Sequence, residues 1–547
     1  MLRGLYRFYL YVVFIVMLFL AASGLRVILQ VLLAYTSLRG TDELLPTHTD
    51  VVQAAVFAVV AGVIAALVGG LHYWLIRRDI RGDPGAGSGG IRAFFLNFVE
   101  ATNLPFAVGF GIFVIVVLGQ QFASNTSTTA AFVITTLGLV ALLEWERRRS
   151  QAGPGAAITF QRLHFYGVQL VLLFILTPTW LFTVGQLVDS LLFSGKGSGV
   201  APCGGFTTCN PGPNLLSLVT STLWVILFWA GYSLLTRGDT ASLLRRVLHF
   251  IGFAYGMYFL LLGIGHAIEV GLLALFKVPA DLSEITRPFA EYEIAANLTL
   301  GLLVVGVYVL WLRNAARQQP KEQTTMLLTA EAITATLMGA SFWVGWVFVL
   351  LNALERIAPS NTPLNPGDWA TAFAFVITGL GYIPLGLHLR WRSARTASIA
   401  PLRGFAFALL GLGTLVGAIG GVVALYAYGT ALLGSPFDNW QYTAHAGTAA
   451  FVVGAIIVGL YLWTSIQARL FSGPSKRPVP AEVPLATIPE TPAAEVPSTI
   501  EPIATPAEAS PVTAPTSIAE VLDELLAGRI TRDEAVTRID TLVKQGS

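Results

Sequence analysis

Residues 5–34 of the chain read LYRFYLYVVFIVMLFLAASGLRVILQVLLA, an apolar run that begins around Arg7. A polar, acidic break follows over residues 41–50, and a second apolar run then ends at Arg77 and Arg78. Each run exceeds the roughly 20 apolar residues that a helix needs to cross the hydrocarbon core of a bilayer. The stretch therefore predicts a membrane hairpin with basic ends and an acidic loop.

The composition of the whole chain agrees with this prediction. Of 547 residues, 54% are hydrophobic and 12% are charged, whereas soluble domains carry about 25% charged residues. A water-soluble fold cannot bury so much apolar surface, so we predict an integral membrane protein whose principal partner is the lipid bilayer. The net charge is only +2, and the arginines form short clusters beside the apolar runs. This pattern argues against a nucleic-acid partner.

The N-terminus has some features of a secretory signal peptide. Arg3 and Arg7 precede an apolar core, and small residues follow at Ala21 and Ala22. The apolar region of a signal peptide spans about 7–15 residues, but this run continues to Ala34. We therefore expect a retained first membrane helix.

The hairpin pattern recurs along the chain. Apolar runs pair into six hairpins, at approximately residues 5–80, 91–149, 160–238, 243–318, 323–395 and 401–471. Recurrence on this scale is typical of proteins built from internal repeats. We predict an all-α polytopic membrane bundle of about twelve transmembrane helices over residues 1–472.

Basic residues divide unequally between the two ends of these helices. About 23 Lys and Arg lie at the N-terminus, in the links between hairpins and after Leu470, whereas about five lie in the hairpin loops. Loops rich in Lys and Arg stay on the cytoplasmic side of a membrane. The count predicts a protein of the inner (plasma) membrane with both termini in the cytoplasm.

The composition changes after the last apolar run. Residues 473–516 are rich in Pro, Ala, Glu, Thr and Val, which predicts a disordered linker. Residues 517–547 contain two capping boxes, Ser517–Glu520 and Thr531–Glu534, each leading into an apolar stripe. We predict a small cytoplasmic helical hairpin that is too short to be stable alone. It is expected to dock on a cytoplasmic protein or to form a homo-oligomer.

Two segments carry a resemblance to known proteins. The hairpin pattern resembles an uncharacterised bacterial membrane family, domain of unknown function 5671. The matching residues are the aromatic-rich start Arg7–Tyr11 and the end of the first hairpin, His72–Trp74. A similar pattern occurs at residues 387–391. The resemblance covers approximately residues 5–470 and implies a membrane location without an established activity. Residues 528–534 are similar to short oligomerisation hairpins at the ends of bacterial membrane proteins.

Several polar side chains fall inside the predicted helices. Asn97, Glu100 and Asn103 are spaced i, i+3, i+6 and form one polar stripe, and Glu331 lies three hairpins further along the chain. Ionisable groups at this depth are unfavourable unless they are paired, hydrated or protonated, and they are functional candidates by default. They act either as hydrogen-bonding groups between helices or as part of a proton or cation path.

Other polar residues have structural interpretations. Arg26 and Glu269 lie toward the loop ends of first helices, and we expect them to form an ion pair if the hairpins make two adjacent halves. His164 and His249 lie at helix starts, where we expect interfacial positions. Cys203 and Cys209 share a predicted outer loop with two intervening glycines, which predicts a disulfide in an oxidising compartment.

The sequence contains no phosphate loop, HExxH motif or metal-ligand cluster. We therefore expect no catalytic residues, no metal and no cofactor, and a protein that is not an enzyme. One hypothesis is a non-catalytic membrane scaffold or sensor, with a filled bundle. The alternative is a proton- or cation-coupled transporter that uses Glu100 and Glu331. That hypothesis expects a water-accessible cavity and a broken helix near Asn103.

Overall fold

The computed structural model describes residues 2–40, 43–120, 126–149, 153, 155–192, 215–236, 239, 242–278, 287–318, 320–360, 366–396, 398–434 and 436–467. In these ranges the regular elements are helices, and no strand occurs. The predicted disulfide of Cys203 and Cys209, the linker 473–516 and the hairpin 517–547 lie outside the described residues. The chain divides into two units, Met1–Gly473 and Pro474–Ser547, and the account below concerns the first.

The described ranges contain fifteen α-helices and one π-helical segment. They are α1 (Leu2–Ala34), α2 (His48–Ile64), the π segment (Ala65–Gly69), α3 (Gly70–Gly82), α4 (Pro84–Gly87), α5 (Gly90–Gln120), α6 (Thr126–Arg148), α7 (Ala156–Leu192), α8 (Leu215–Leu235), α9 (Leu243–Leu275), α10 (Arg287–Gln318), α11 (Pro320–Ile357), α12 (Pro366–Gly379), α13 (Tyr382–Thr396), α14 (Ala400–Leu432) and α15 (Trp440–Gln467). They provide twelve segments that are long and apolar enough to cross a membrane. The prediction of an all-α polytopic membrane bundle with about twelve spans is confirmed.

The two helices of each predicted hairpin pack against each other. The pairs are α1 with α2, α5 with α6, α7 with α8, α9 with α10, α11 with α12, and α14 with α15. Contacts between hairpins join α6 to α1, α7 to α5 and α10, α9 to α12, and α11 to α14 and α15. The result is a bundle in which each hairpin is held by its neighbours.

Glycines bring the backbones of α14 and α15 into contact. A Cβ atom added at Gly454 would lie 2.4 Å from the Cα of Gly417, and one added at Gly447 would lie 2.5 Å from the backbone nitrogen of Ala424. Small residues at helix interfaces let membrane helices approach closely and gain van der Waals contact. This glycine seam requires residues without side chains on both helices.

Among the described spans, two are interrupted, and α5 is not one of them. The π segment Ala65–Gly69 separates α2 from α3, and residues 380 and 381 separate α12 from α13. Helix α5 continues through Pro105, so the broken helix that the transporter hypothesis expects near Asn103 does not occur.

Ion pairs join the arginine-rich helix ends on one side of the bundle. Arg7 on α1 lies 2.7 Å from Asp79 and 2.6 Å from Asp83, and this second contact lowers the pKa of the Asp83 carboxyl. Arg162 at the start of α7 lies 2.8 Å from Asp239, which follows α8. These contacts connect the end of one span to the start of another. We call this end of the bundle the basic side.

Candidate functional site

Glu100 lies on α5 where α5, α6 and α8 meet, and only 2% of the residue is exposed. The hydroxyl of Tyr232 on α8 is hydrogen-bonded to its Oε1 at 3.1 Å. The Nε of Arg147, near the end of α6, lies 3.6 Å from its Oε2. The carboxyl group therefore has a charged neighbour on one helix and a hydrogen-bond partner on another.

A buried histidine extends this cluster to a fourth helix. His164 on α7 lies 3.1 Å from the Tyr232 hydroxyl through Nε2 and 2.8 Å from Oδ1 of Asn97 through Nδ1. Asn97 donates its amide hydrogen to the carbonyl of Ala93. Oδ1 therefore accepts from Nδ1–H of His164, because a side-chain amide oxygen carries no hydrogen.

The hydrogen-bond chain allows two arrangements of protons. If Tyr232 donates to Glu100, then His164 donates from both ring nitrogens and is an imidazolium. If Glu100 carries the proton, it donates to Tyr232, which in turn donates to Nε2 of a neutral His164. The two arrangements differ by one proton relayed through the Tyr232 hydroxyl. We call Asn97, Glu100, Arg147, His164 and Tyr232 the Glu100 cluster.

Arg147 is held by more than the Glu100 cluster. Its guanidinium also pairs with Glu144 on the same helix, and it lies 4.5 Å from the centre of the Phe165 ring. Its side chain is 12% exposed. Two carboxylates and an aromatic face thus surround one largely enclosed cation, which fixes its position.

A polar cavity of about 250 Å³ reaches the Glu100 cluster from the basic side. The polar and charged residues that line it are Ser88, Arg92, Asn97, Arg147, Arg148 and Gln161. Because Asn97 and Arg147 belong to both the cavity and the cluster, the cavity connects the basic side to the hydrogen-bond chain.

Apolar residues close the other side of the cluster. On α5, Leu104 lies one turn beyond Glu100 and Val108 lies two turns beyond it. At the same distances from the cluster residues of the other helices lie Val168 and Leu172 on α7, and Trp229 and Val225 on α8. All six belong to one buried hydrophobic cluster. On each helix the polar residue is therefore followed directly by packed apolar layers.

Glu331 has a simpler setting on α11. Its Oε1 contacts Nδ1 of His388, and its Oε2 lies 3.9 Å from Nη1 of Arg392, both on α13. The His388 side chain is 48% exposed, so this site lies at the surface of the bundle. At both sites, a glutamate on the first span of a hairpin pairs with a basic residue on the second span.

The remaining predicted residues lie apart from the Glu100 cluster. Asn103 donates to the carbonyl of Val99 on its own helix. Arg26 and Glu269, both described, make no ion pair with each other, and the prediction that they pair is wrong. Glu269 accepts a hydrogen bond from Thr371 instead. The reason is topological, since α9 packs on α10 and α12, whereas α1 packs on α2 and α6.

Sequence analysis missed three members of the Glu100 cluster. His164 was expected at the membrane interface, but it is 3% exposed, and so is His249. In the sequence, Arg147 is one of the many basic residues that predict the topology, and Tyr232 is one of several aromatic residues in its helix. No local signal in the sequence separates these three residues from the other polar, basic and aromatic residues of the chain.

The described ranges contain no group of three or more His, Cys, Asp or Glu residues that could hold a metal ion. Comparisons of the chain with protein-family models, with curated proteins and with solved structures find no match. Functional inference for this chain therefore rests on the geometry described above.

Proposed function

We propose that this chain is a non-catalytic scaffold or sensor of the inner membrane. In this proposal both termini are cytoplasmic, and residues 517–547 dock on a partner protein or on a second copy of the chain. The resemblance to domain of unknown function 5671 belongs to the same proposal, because it implies a membrane location and no established activity. The bundle then serves to anchor and position the tail.

The observation that carries the proposal is the apolar closure of the Glu100 cluster. A path for ions needs polar groups or water on both sides of its central residue. Here Leu104, Val168 and Trp229 pack directly beyond the polar residues. The compensation of Glu100 by Arg147 also gives the carboxylate a structural role between helices.

The transporter hypothesis keeps one specific observation in its favour. The chain Asn97–His164–Tyr232–Glu100 links two titratable groups, His164 and Glu100, by hydrogen bonds through one hydroxyl, and the polar cavity connects it to the basic side. Transport would require the apolar layers beyond Glu100 to open. The two hypotheses therefore differ in what reconstituted protein does under a proton gradient.

The function is tested by proton flux in vesicles and by association of the tail. We expect vesicles with the full chain to pass no more protons than vesicles without protein. We also expect the full chain to associate through its tail, and Leu522→Asp with Leu525→Asp to abolish that association by placing charge on the apolar stripe. Cross-linking of the full chain in membranes measures the association.

A proton flux that Glu100→Gln abolishes in a fully folded protein would replace the scaffold proposal with the transporter. Cross-linking that the two aspartates leave unchanged would remove the tail from the proposal. Glu520→Gln is the matched control for the tail, since it changes a charged residue outside the apolar stripe.

The orientation is tested separately with single cysteines in a Cys203→Ser, Cys209→Ser background. The side chain of Arg148, on the basic side, is 67% exposed. Leu432 lies at the end of α14 that is away from the basic side, and it is 88% exposed. We expect an impermeant thiol reagent to label Leu432→Cys in intact cells and Arg148→Cys only after lysis, because basic loops stay inside. The reverse pattern would invert the proposed orientation.

A further inference from the structure

An apolar groove of about 660 Å³ opens between α1, the interrupted span α2–π–α3 and α6. Its wall on the interrupted span is formed by Tyr73 and by a run of small residues: Gly62, Ala65, Ala66, Gly69 and Gly70. A Cβ atom added at Gly62 or Gly70 would meet no heavy atom within 4 Å. The opposite walls carry larger side chains, among them Phe14, Met17 and Leu142. The groove thus lies within the membrane-spanning part of three helices.

A second pocket continues the groove toward the basic side. It measures about 430 Å³ and is lined by Tyr73, Trp74, Arg77, Ile80, Arg81 and Arg149. Tyr73 and Arg149 line both the pocket and the groove. The two therefore form one continuous depression, apolar along its length and cationic at its end.

The charges at this end are unbalanced. Three arginines share the carboxylate of Glu146. Its oxygens lie 2.9 Å from Arg92, 3.5 Å from Arg77 and 3.8 Å from Arg149. The nearby carboxylates of Asp79 and Asp83 pair with Arg7. A surplus of positive charge therefore remains at the mouth of the groove, and an anion would neutralise it.

Aromatic side chains indicate at which level of the membrane the mouth of the groove lies. The guanidinium of Arg149 lies 3.5 Å from the centre of the Trp145 ring, and it donates to the Tyr73 hydroxyl at 3.2 Å. Trp145 and Trp74 are each 52% exposed. Exposed tryptophans and tyrosines concentrate at the level of lipid headgroups. The cationic pocket thus lies where the phosphate of a lipid lies.

We propose that the groove and pocket together bind an anionic phospholipid. An acyl chain occupies the apolar groove, and the phosphate contacts Arg77, Arg81 and Arg149. The groove volume falls in the range of about 300–1,000 Å³ that is typical of small-molecule sites. Basic pockets between membrane helices are suited to acidic headgroups. The site does not depend on the proposed scaffold function.

The test uses the full chain reconstituted in vesicles of equal phosphatidylglycerol and phosphatidylcholine, followed by native mass spectrometry of retained lipid. We expect the protein to retain phosphatidylglycerol preferentially. Arg81→Gln with Arg149→Gln is expected to lower its retention roughly 25-fold, at about fivefold for each arginine near an anionic headgroup. Arg395→Gln is the matched control, because Arg395 lies 3.7 Å from the Trp391 ring and outside the groove.

The groove is tested by filling it. Gly62→Leu and Gly70→Leu place side chains in open space and are expected to lower retention of both lipids. The control is Gly411→Leu on α14, where an added Cβ also meets nothing within 4 Å. Circular dichroism of each variant confirms that it is folded.

Equal retention of the two lipids would overturn the proposal. So would an Arg395→Gln variant that loses as much phosphatidylglycerol as the pocket variants. Displacement of the lipid by millimolar inorganic phosphate, with no effect of the leucine substitutions, would assign the pocket to a free anion and overturn the lipid site.

Discussion

Glu100→Leu is expected to destabilise the bundle by about 3–5 kcal/mol, which is the range for removing one partner of a buried ion pair. The substitution removes one of the two carboxylates beside Arg147, and it also leaves the Tyr232 hydroxyl facing an apolar side chain in place of its hydrogen-bond partner. A titration of the unfolding free energy in mixed micelles of mild detergent and dodecyl sulfate measures the loss.

Glu100→Gln separates hydrogen bonding from charge. Glutamine keeps an oxygen that accepts from Tyr232 and occupies a similar volume, but it removes the charge opposite Arg147. Because Glu144 still pairs with Arg147, we expect a smaller loss of about 1.5–3 kcal/mol, the range for one hydrogen bond to a charged group.

Glu322→Leu is the matched control. Glu322 also pairs with an arginine, Arg246, but its side chain is 49% exposed. Exposed pairs contribute about 0–1 kcal/mol, so this variant should unfold nearly as the wild type does. Equal losses at positions 100 and 322 would contradict a specific structural role for the Glu100 cluster.

The second large effect is expected at the glycine seam. In Gly454→Val the new Cβ atom would lie 2.4 Å from backbone atoms of Gly417. Overpacking in a core typically destabilises by about 1–3 kcal/mol, and here the neighbour is backbone that cannot change rotamer. We therefore expect a loss of roughly 3 kcal/mol or more in the same titration.

Gly459→Val controls for helix propensity and side-chain volume. Gly459 lies on the same helix, and an added Cβ there meets no heavy atom within 4 Å. We expect Gly459→Val to lose less than about 1 kcal/mol, since valine has a better helix propensity than glycine. If both variants lost the same amount, close backbone contact could not be the cause.

Hydropathy predicted the fold class because membrane spans are decided by local composition. A run such as residues 5–34 must form a helix in lipid, where each backbone polar group needs a partner within the segment. The interruption of a span at residues 380 and 381 could not be predicted from local composition. A Cβ atom at Gly379 would lie 2.3 Å from the backbone nitrogen of Phe342, so this packing depends on a helix that sequence analysis cannot place.

Only part of the candidate site could be predicted from the sequence. Glu100 and Asn97 stood out because they interrupt an apolar run. Their partners His164 and Tyr232 are 67 residues from Asn97 and 132 residues from Glu100, respectively. Nothing local distinguishes them from other polar or aromatic residues of membrane helices. The wrong pairing of Arg26 with Glu269 had the same origin, since it assumed which hairpins are neighbours.

The assembly of the Glu100 cluster from four helices also has a consequence for synthesis. Ribosomes add about 5–20 residues per second, so Glu100 precedes Tyr232, 132 residues later, by roughly 7–26 s. Arg147 is the first of its partners in chain order, and His164 and Tyr232 follow. A nascent chain that has made α5 and α6 can already neutralise the carboxylate, whereas its hydroxyl donor arrives only with α8. Translational pausing within α6 would therefore prolong the interval in which α5 carries an uncompensated charge.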